Sequence, residues 1–310
     1  MNAAAPRQWF AFLDQLWPDD PDSINVLQQI FGYCLTSSTK LQKAFMVVGP
    51  TRSGKGTIGR VLTALIGSGN TASPTLSSLS ETFGRESLIY KRLGLIGDAK
   101  IGRNSDPVLI AEHILGISGE DLVTISRKNK SAWTGHLTLK LVVLCTEVPK
   151  MIDDSAGIAS RFIILRLTES FLGNEDLELT DKLRAELPGI AVWAVGGWTA
   201  LFGKGGRGKI AQPQSAEWDV GDIKNLASDI KQYLDERCKF DPKYHVERGI
   251  LYKDYCSWRE SQGLPAVSKP MFGRKLKTAF PQLKDYRPES EEETSRQRHY
   301  SGLRLQPLQP

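Results

Sequence analysis

Four short, almost uninterrupted apolar runs punctuate the first 170 residues: AFMVVG (44–49), LGLIG (93–97), LKLVVLC (139–145) and RFIILRL (161–167). Runs this continuous suit strands buried on both faces, and hence a parallel sheet covered by helices. The stretches between them, GTIGRVLTALIG (56–67), LSETFGRESLIY (79–90) and PVLIAEHILGIS (107–118), read as those helices. Ahead of the first run, WFAFLDQLW and INVLQQIFGYCL carry apolar residues at helical spacing, split by the turn signal PDDPDS. Beyond the last run the pattern turns helical again, through LTDKLRAELPGIAVWAVGGWTALF. The glycine-rich segment GKGGRGKIAQPQ (203–214) then reads as a flexible boundary. Three further helical patterns (223–238, 250–263, 269–280), a polar loop and YSGLRL follow. Three helices and then a β-ribbon with a charged turn is the order of a winged helix. The expected organisation is an N-terminal helical segment (1–38), a sheet-and-helix core (39–170), a helical linker with its boundary (171–214) and a winged-helix domain (215–310).

Composition narrows this reading. A chain of 310 residues with 40% hydrophobic and 24% charged residues is ordinary for a globular protein. No apolar run reaches membrane-spanning length, and MNAAAPRQWF lacks the apolar core of an export signal, so a cytoplasmic protein is expected. The four cysteines (Cys34, Cys145, Cys238, Cys256) have no metal-binding spacing and read as reduced thiols. Charge is unevenly placed. Residues 1–222 hold 23 basic and 23 acidic residues, whereas 223–310 hold 17 and 12, so the whole net charge of +5 sits in the last segment. A basic module beside a neutral body points to a polyanion, with an ordinary solvated surface as the alternative.

The sharpest chemical signal is GPTRSGKGT, Gly49 to Thr57, between a predicted strand and a predicted helix. It fits G-x-x-x-x-G-K. Glycines let successive N–H groups turn toward an anion, and the following helix adds its positive end. Gly49, Pro50, Thr51, Arg52, Ser53, Gly54, Lys55, Gly56 and Thr57 are therefore candidates to hold a nucleoside triphosphate, with Lys55 at the outer phosphates. The hydroxyl that usually follows the lysine is displaced. Gly56 stands there and Thr57 comes one residue later, about 100° further round the helix. Thr57 then holds Mg²⁺ through water, or the loop tilts to present it.

Three polar residues stand next to the other strands. Asp98 closes LGLIGD, where a carboxylate can hold Mg²⁺ or its water shell; Ala99 and Lys100 follow, so a second acid is missing there. Glu147, in LKLVVLCTEVP, can polarise water and supply that acid, and Thr146 beside it can orient water. Arg161 precedes the last strand and can reach the γ-phosphate of an adjacent subunit, a structural ion pair being the alternative. Arg127, Lys128 and Lys130 crowd one turn beside Trp133, as phosphate contacts with a stacking ring or as a solvated turn. In the C-terminal segment Lys269, Arg274, Lys275 and Lys277 share one helix, with Arg287, Arg296 and Arg298 near the wing. They suit DNA, whereas the acidic run Glu291 to Glu293 suits a protein partner.

In order and spacing these segments resemble the helicase part of the superfamily 3 primase–helicases of phages, satellite elements and poxviruses. GPTRSGKGT resembles Walker A and LGLIGDAK the Walker B place. GEDLVTISRKNKSAW resembles the DNA-contacting hairpin. LVVLCTEVP resembles the sensor 1 strand, with Glu147 where the family has Asn, and SRFIILRL the arginine-finger segment. AELPGIAVWAVGGW resembles the linker helix, and LYKDYCSWRESQG…FGRKL…YSGLRL the C-terminal winged helix. The resemblance implies an AAA+-like P-loop NTPase that uses ATP and Mg²⁺. It also implies a hexameric ring acting in DNA replication, moving 3′→5′ on single-stranded and forked DNA, beside a primase or initiator partner. It further implies a stand-alone helicase or a fragment whose primase part precedes residue 1. Two other readings remain open: an ATP-binding initiator or loader that does not unwind, and a small-molecule kinase, which GKGT also suits.

Overall fold

The computed structural model describes residues 3–102, 105–153, 157–226, 228–264, 267–280, 282–286 and 298–306. They form two compact units, residues 1–224 and 225–310. The first contains α1 (Arg7–Leu16), α2 (Pro21–Cys34), β1 (Ala44–Val48), α3 (Lys55–Ile66), β2 (Thr71–Ala72) and α4 (Leu76–Leu79). It continues with β3 (Leu93–Ile96), α5 (Pro107–Ser118), β4 (Leu122–Arg127), β5 (Lys130–His136), β6 (Lys140–Cys145), α6 (Gly157–Arg161) and β7 (Phe162–Arg166). It ends with α7 (Leu179–Ala185), α8 (Leu187–Phe202) and α9 (Glu217–Leu226), the last running across the boundary.

Five strands make one parallel sheet in the order β2-β3-β6-β1-β7. All four apolar runs supply strands of it. Every residue of β1 and β6 is buried, as strands covered on both faces require. The hairpin β4–β5 is a separate antiparallel ribbon inserted between β3 and β6.

The N-terminal helices pack on the sheet through an aromatic cluster. Trp9 meets Phe12, Phe31 and Trp193 with ring centroids 5.4–5.7 Å apart. α2 and α8 approach backbone to backbone. A Cβ at Gly32 would stand 2.3 Å from the Ala194 carbonyl oxygen, and one at Gly197 2.1 Å from that of Gln28. The N-terminus of α1 has no local side-chain cap. Glu186, at the junction of α7 and α8, supplies it, accepting from the Gln8 and Trp9 N–H groups at 3.0 Å each. Trp17 Nε1 donates to the Arg166 carbonyl at 2.7 Å, fastening the same segment to the end of β7.

Two expectations need correction. LSETFGRESLIY is not an α-helix: α4 ends at Leu79, and turns and one short 3-10 turn (Glu86–Leu88) follow. Gly84 folds back so closely on Ser78 that a Cβ would lie 1.7 Å from its carbonyl oxygen, and Phe83, which completed the apolar spacing, is exposed. Nor is the glycine-rich stretch 203–214 a loose boundary. Ile210 is buried, and the Gln212 side chain completes the free edge of β7, accepting from Ile164 N–H (3.0 Å) and donating to Ile164 O (2.8 Å).

The second unit comprises α10 (Asp229–Arg237), β8 (Cys238–Glu247), α11 (Arg248–Ser261), α12 (Lys269–Ala279), β9 (Lys284–Tyr286) and β10 (His299–Leu305). Its antiparallel sheet runs β8-β10-β9. Helix, strand, two helices and two strands make a winged helix. β8, between the first two helices, is absent from the reading of three helices and a ribbon. Among the described residues no single helix is long and apolar enough to cross a membrane.

One buried charge sets a pH dependence. Lys140 opens β6 almost fully enclosed, its Nζ donating to the Thr36 carbonyl and lying 5.0 Å from the Tyr33 ring centre. Burial lowers its pKa to about 8, with Cys34 opposing and Arg92 adding to the fall. The unfolded chain therefore holds this proton between pH 8 and 10.5 while the folded one releases it, and the lysine's contribution to stability rises with pH across that window. The difference in unfolding free energy between the native chain and Lys140→Met, from denaturant titrations, should move in favour of the native chain by roughly 3 kcal/mol from pH 7 to 11.

Candidate functional site

Register fixes where the site lies. Val48 is level with Cys145 and Arg166, and Ile96 with Val143, so four strands end on one edge of the sheet. That edge is where open α/β sheets bind ligands. The loop after β1 bends sharply, with Arg52 at φ +60° and Gly54 at φ +89°. A side chain at Gly54 would also meet Leu16 at 2.9 Å and Phe12 at 3.2 Å, so glycine is needed for both conformation and space. α3 begins at Lys55, directly after the bend. Lys55 Nζ donates to the Gly49 and Pro50 carbonyls (2.6 Å each) and to Ser53 Oγ (3.1 Å). Burial lowers its pKa, with Cys145 and Asp98 pulling it back up.

The loop opens on a cavity of about 660 Å³. Thr51 to Thr57, Asp98 and Thr146 line it, with Phe12 and Gln15 of α1 on one wall and Phe171, residues 174–177, Leu179 and Thr180 on another. Thr57 is buried and its Oγ1 accepts from Arg60 Nη2 at 2.9 Å. Asp98 adopts φ +44°, its carboxylate 3.4 Å from Lys100 Nζ and mostly exposed. It does not terminate the strand beside the cradle: β6 lies between β3 and β1. Thr146 rather than Glu147 faces the cavity; Glu147 is exposed and outside its lining, so the sequence reading of Glu147 as the missing acid is not supported by its position. Gly49 and Pro50 root the loop without lining the cavity.

Sequence reasoning missed Arg60 and the wall formed by residues 171–180. Arg60 also donates to Thr180 Oγ1 at 3.1 Å, and Arg52 pairs with Glu175 at 3.3 Å. The i, i+3 spacing of Thr57 and Arg60 was the available signal. A Mg²⁺ ion at a triphosphate keeps several waters and takes one or two protein groups. Thr57 and Asp98, one hydroxyl and one accessible carboxylate on the same cavity, fit that demand.

Arg161 lies at the other end of the sheet. Phe162 pairs with Ala44, at the start of β1, five residues from the cradle. At about 3.3 Å per residue that is roughly 15 Å, too far to meet a phosphate held by the same chain. Its guanidinium donates to Gln42 Oε1 (3.1 Å) and Gln42 O (3.4 Å).

The hairpin lies beyond the same end. It turns at Lys128 and Asn129, the latter at φ +57°, and Ile125 alone among its residues is fully buried. Arg127 is turned inward on Ser131 (Nε to O, 2.8 Å), while Lys128 and Lys130 stand exposed at the tip.

In the second unit Lys269, Arg274 and Lys277 line a concave face of about 500 Å³ with Arg248 and Tyr300. Arg248 stacks over the Tyr300 ring at 4.5 Å. Lys275 does not join them, which corrects its assignment to DNA. Its Nζ lies 3.2 Å from buried Asp229, which also holds Arg259 and the Tyr255 hydroxyl. Arg298 is exposed, whereas Arg287, Arg296 and Glu291 to Glu293 lie outside the described residues.

Residues 47–161 match the model of a family of unknown function, DUF5906, and residues 227–307 match that of the RFX DNA-binding domain. The whole chain is similar in fold to solved structures of the NrS-1 C-terminal region. One apo structure, of residues 305–718, aligns at TM-score 0.58 and 11% identity, and an A-form apo structure at 0.56 and 10%. Each alignment covers 97% of this chain and 76% of the other. The chain thus combines a mixed α/β unit built on a five-stranded parallel sheet with a winged-helix unit of the DNA-binding type.

The Asp229 cluster makes a stability prediction. Asp229→Ala strands two buried cations and should destabilise the second unit by about 3–5 kcal/mol. Amide exchange on α10, α11 and α12 should accelerate while β1 and β6 keep their protection.

Proposed function

We propose that this chain is an ATP-driven nucleic-acid motor, a DNA helicase acting in replication. One observation carries the reading: a glycine-bent loop, with Lys55 on its carbonyls, opens at the carboxyl edge of a parallel sheet onto one cavity with Asp98 and Thr146. The fold shared with the NrS-1 C-terminal region and the match to the RFX DNA-binding domain support it.

In this reading the loop amides and the start of α3 receive the triphosphate, and Lys55 turns from its carbonyls to the outer phosphates. Thr57 and Asp98 would hold Mg²⁺, which would supply charge neutralisation at the phosphates. Thr146 orients the attacking water. Water adds to the γ-phosphorus, the bond to the β-phosphate oxygen breaks, and ADP and phosphate leave. Arg161 serves the cavity of a neighbouring copy, which makes the active form a ring, a hexamer by resemblance. The hairpin tips with Lys128 and Lys130 grip one strand in its channel, moving 3′→5′ by resemblance, and the second unit binds DNA through Lys269, Arg274 and Lys277. A primase or initiator partner belongs to the same reading.

A second reading, an ATP-binding initiator or loader that does not unwind, is favoured by one feature. Asp98 has no acidic neighbour and pairs with Lys100.

The test is ATP hydrolysis and strand separation on forked DNA. Lys55→Ala should abolish both, and Arg161→Ala should lower hydrolysis by about 10³-fold or more. An equal mixture of the two inactive variants should regain roughly a quarter of native activity, because one interface in four then combines both intact groups. Unchanged hydrolysis in Arg161→Ala, or a monomer under turnover, overturns the motor; hydrolysis without strand separation favours the loader.

A further inference from the structure

We infer that Tyr90, outside the hairpin, forms with Trp133 a stacking platform for the unpaired bases of single-stranded nucleic acid. The inference rests on the nucleic-acid reading above and adds to it a contact from a different part of the chain.

Tyr90 is held at φ +63°, a conformation that costs a non-glycine residue on the order of 1 kcal/mol or more. Burial does not offset this, since the residue is 81% exposed. A strained aromatic kept in water points to a role there rather than to packing. Its ring meets Trp133 of β5 edge-on, centroids 6.1 Å apart at 79°. Trp133 is itself fixed: its ring lies over Gly135, where a Cβ would come within 2.6 Å. The segment carrying Tyr90 is docked to the hairpin tip, because Glu86 Oε2 accepts from the Lys128 N–H at 3.1 Å.

Two rings from two elements thus meet on the ribbon whose turn carries the exposed Lys128 and Lys130. Cations that take phosphates next to rings that take base faces are the two components of single-strand binding. A duplex fits less well, because its bases already stack on one another and present only edges. The occupant is therefore an unpaired strand.

The test is the affinity of the full chain for a fluorescent thymidine oligonucleotide and for an abasic strand of the same length, across a salt series. Tyr90→Ala should bind the thymidine strand roughly five- to a hundredfold more weakly, and Tyr90→Phe like the native chain. The abasic strand should bind the native chain and Tyr90→Ala equally. The salt dependence should be unchanged in Tyr90→Ala but shallower in Lys128→Ala, by about 0.7 in the log–log slope. Tyr90→Gly, which relieves the backbone, should melt no lower than the native chain and still bind weakly, separating this loss from misfolding. Equal affinity of Tyr90→Ala and the native chain for thymidine strands overturns the platform and leaves the motor reading standing. So does an equal loss on the abasic strand, or a change in assembly mass without a change in affinity. A native chain that binds no single strand overturns both.

Discussion

The register of β1 between β6 and β7 is the constraint on which the first unit depends. Val48 aligns with Cys145 on one side and Arg166 on the other, and the ladder continues one step further, with Gly49 donating to Cys145 O and Leu167 to Val48 O. The loop therefore leaves the sheet at a fixed height and angle. A slip of one residue would turn the side chains of β1 to the wrong faces and carry the loop out of line with Thr146 and Asp98. Burial of all five β1 residues makes such a slip costly. The height at which the loop leaves the sheet thus follows from packing outside the cavity.

The two ends of that sheet carry different chemistry. One has backbone amides, Lys55 and the cavity; the other has Arg161 and the root of the hairpin. Gln42 joins the second pair, accepting from Arg161 and donating Nε2 to Gly119 O at 3.3 Å, next to Glu120 at φ +65°. Thr39 and His136 fasten Glu120 in turn. One side chain, Gln42, thus links the arginine to the base of the hairpin. In the motor reading this is the short path from a neighbour's phosphate to a strand-gripping tip.

The parallel sheet was legible because strands covered on both faces read as nearly continuous apolar runs, and four such runs alternate with other patterns. The sharp loop between β1 and α3 was legible because glycines and a lysine follow an apolar run and precede a helical pattern. What escaped were features made by distant parts of the chain. β8 carries a mainly polar sequence because only Cys238 and Val246 of it are buried, and its partner is sixty residues away in β10. The cap of α1 comes from Glu186, and the edge of β7 is closed by Gln212; neither has a local signature. Arg60 and the 171–180 wall became part of the site only when the chain returned over α3. Tyr90 was read as the end of a helix, whereas its backbone lies in the left-handed region.

Charge in the second unit shows how composition and surface differ. Its excess of basic residues suggested a uniform basic helix, yet α12 divides its cations by face. At about 100° per residue, Lys275 falls on the side of Phe272 and Leu276, both buried, whereas Arg274 and Lys277 fall on the opposite side. The buried carboxylate of Asp229 takes up the inward cation together with Arg259. Arg237 is similarly matched by Asp254. Among the described residues, a polyanion meeting the outward face encounters Lys269, Arg274 and Lys277 around Arg248 and Tyr300, with Asp285 paired to Arg248 and Lys277. The inward lysine serves the fold: where α12 docks on α10 it joins Arg259 and the Tyr255 hydroxyl on one buried carboxylate.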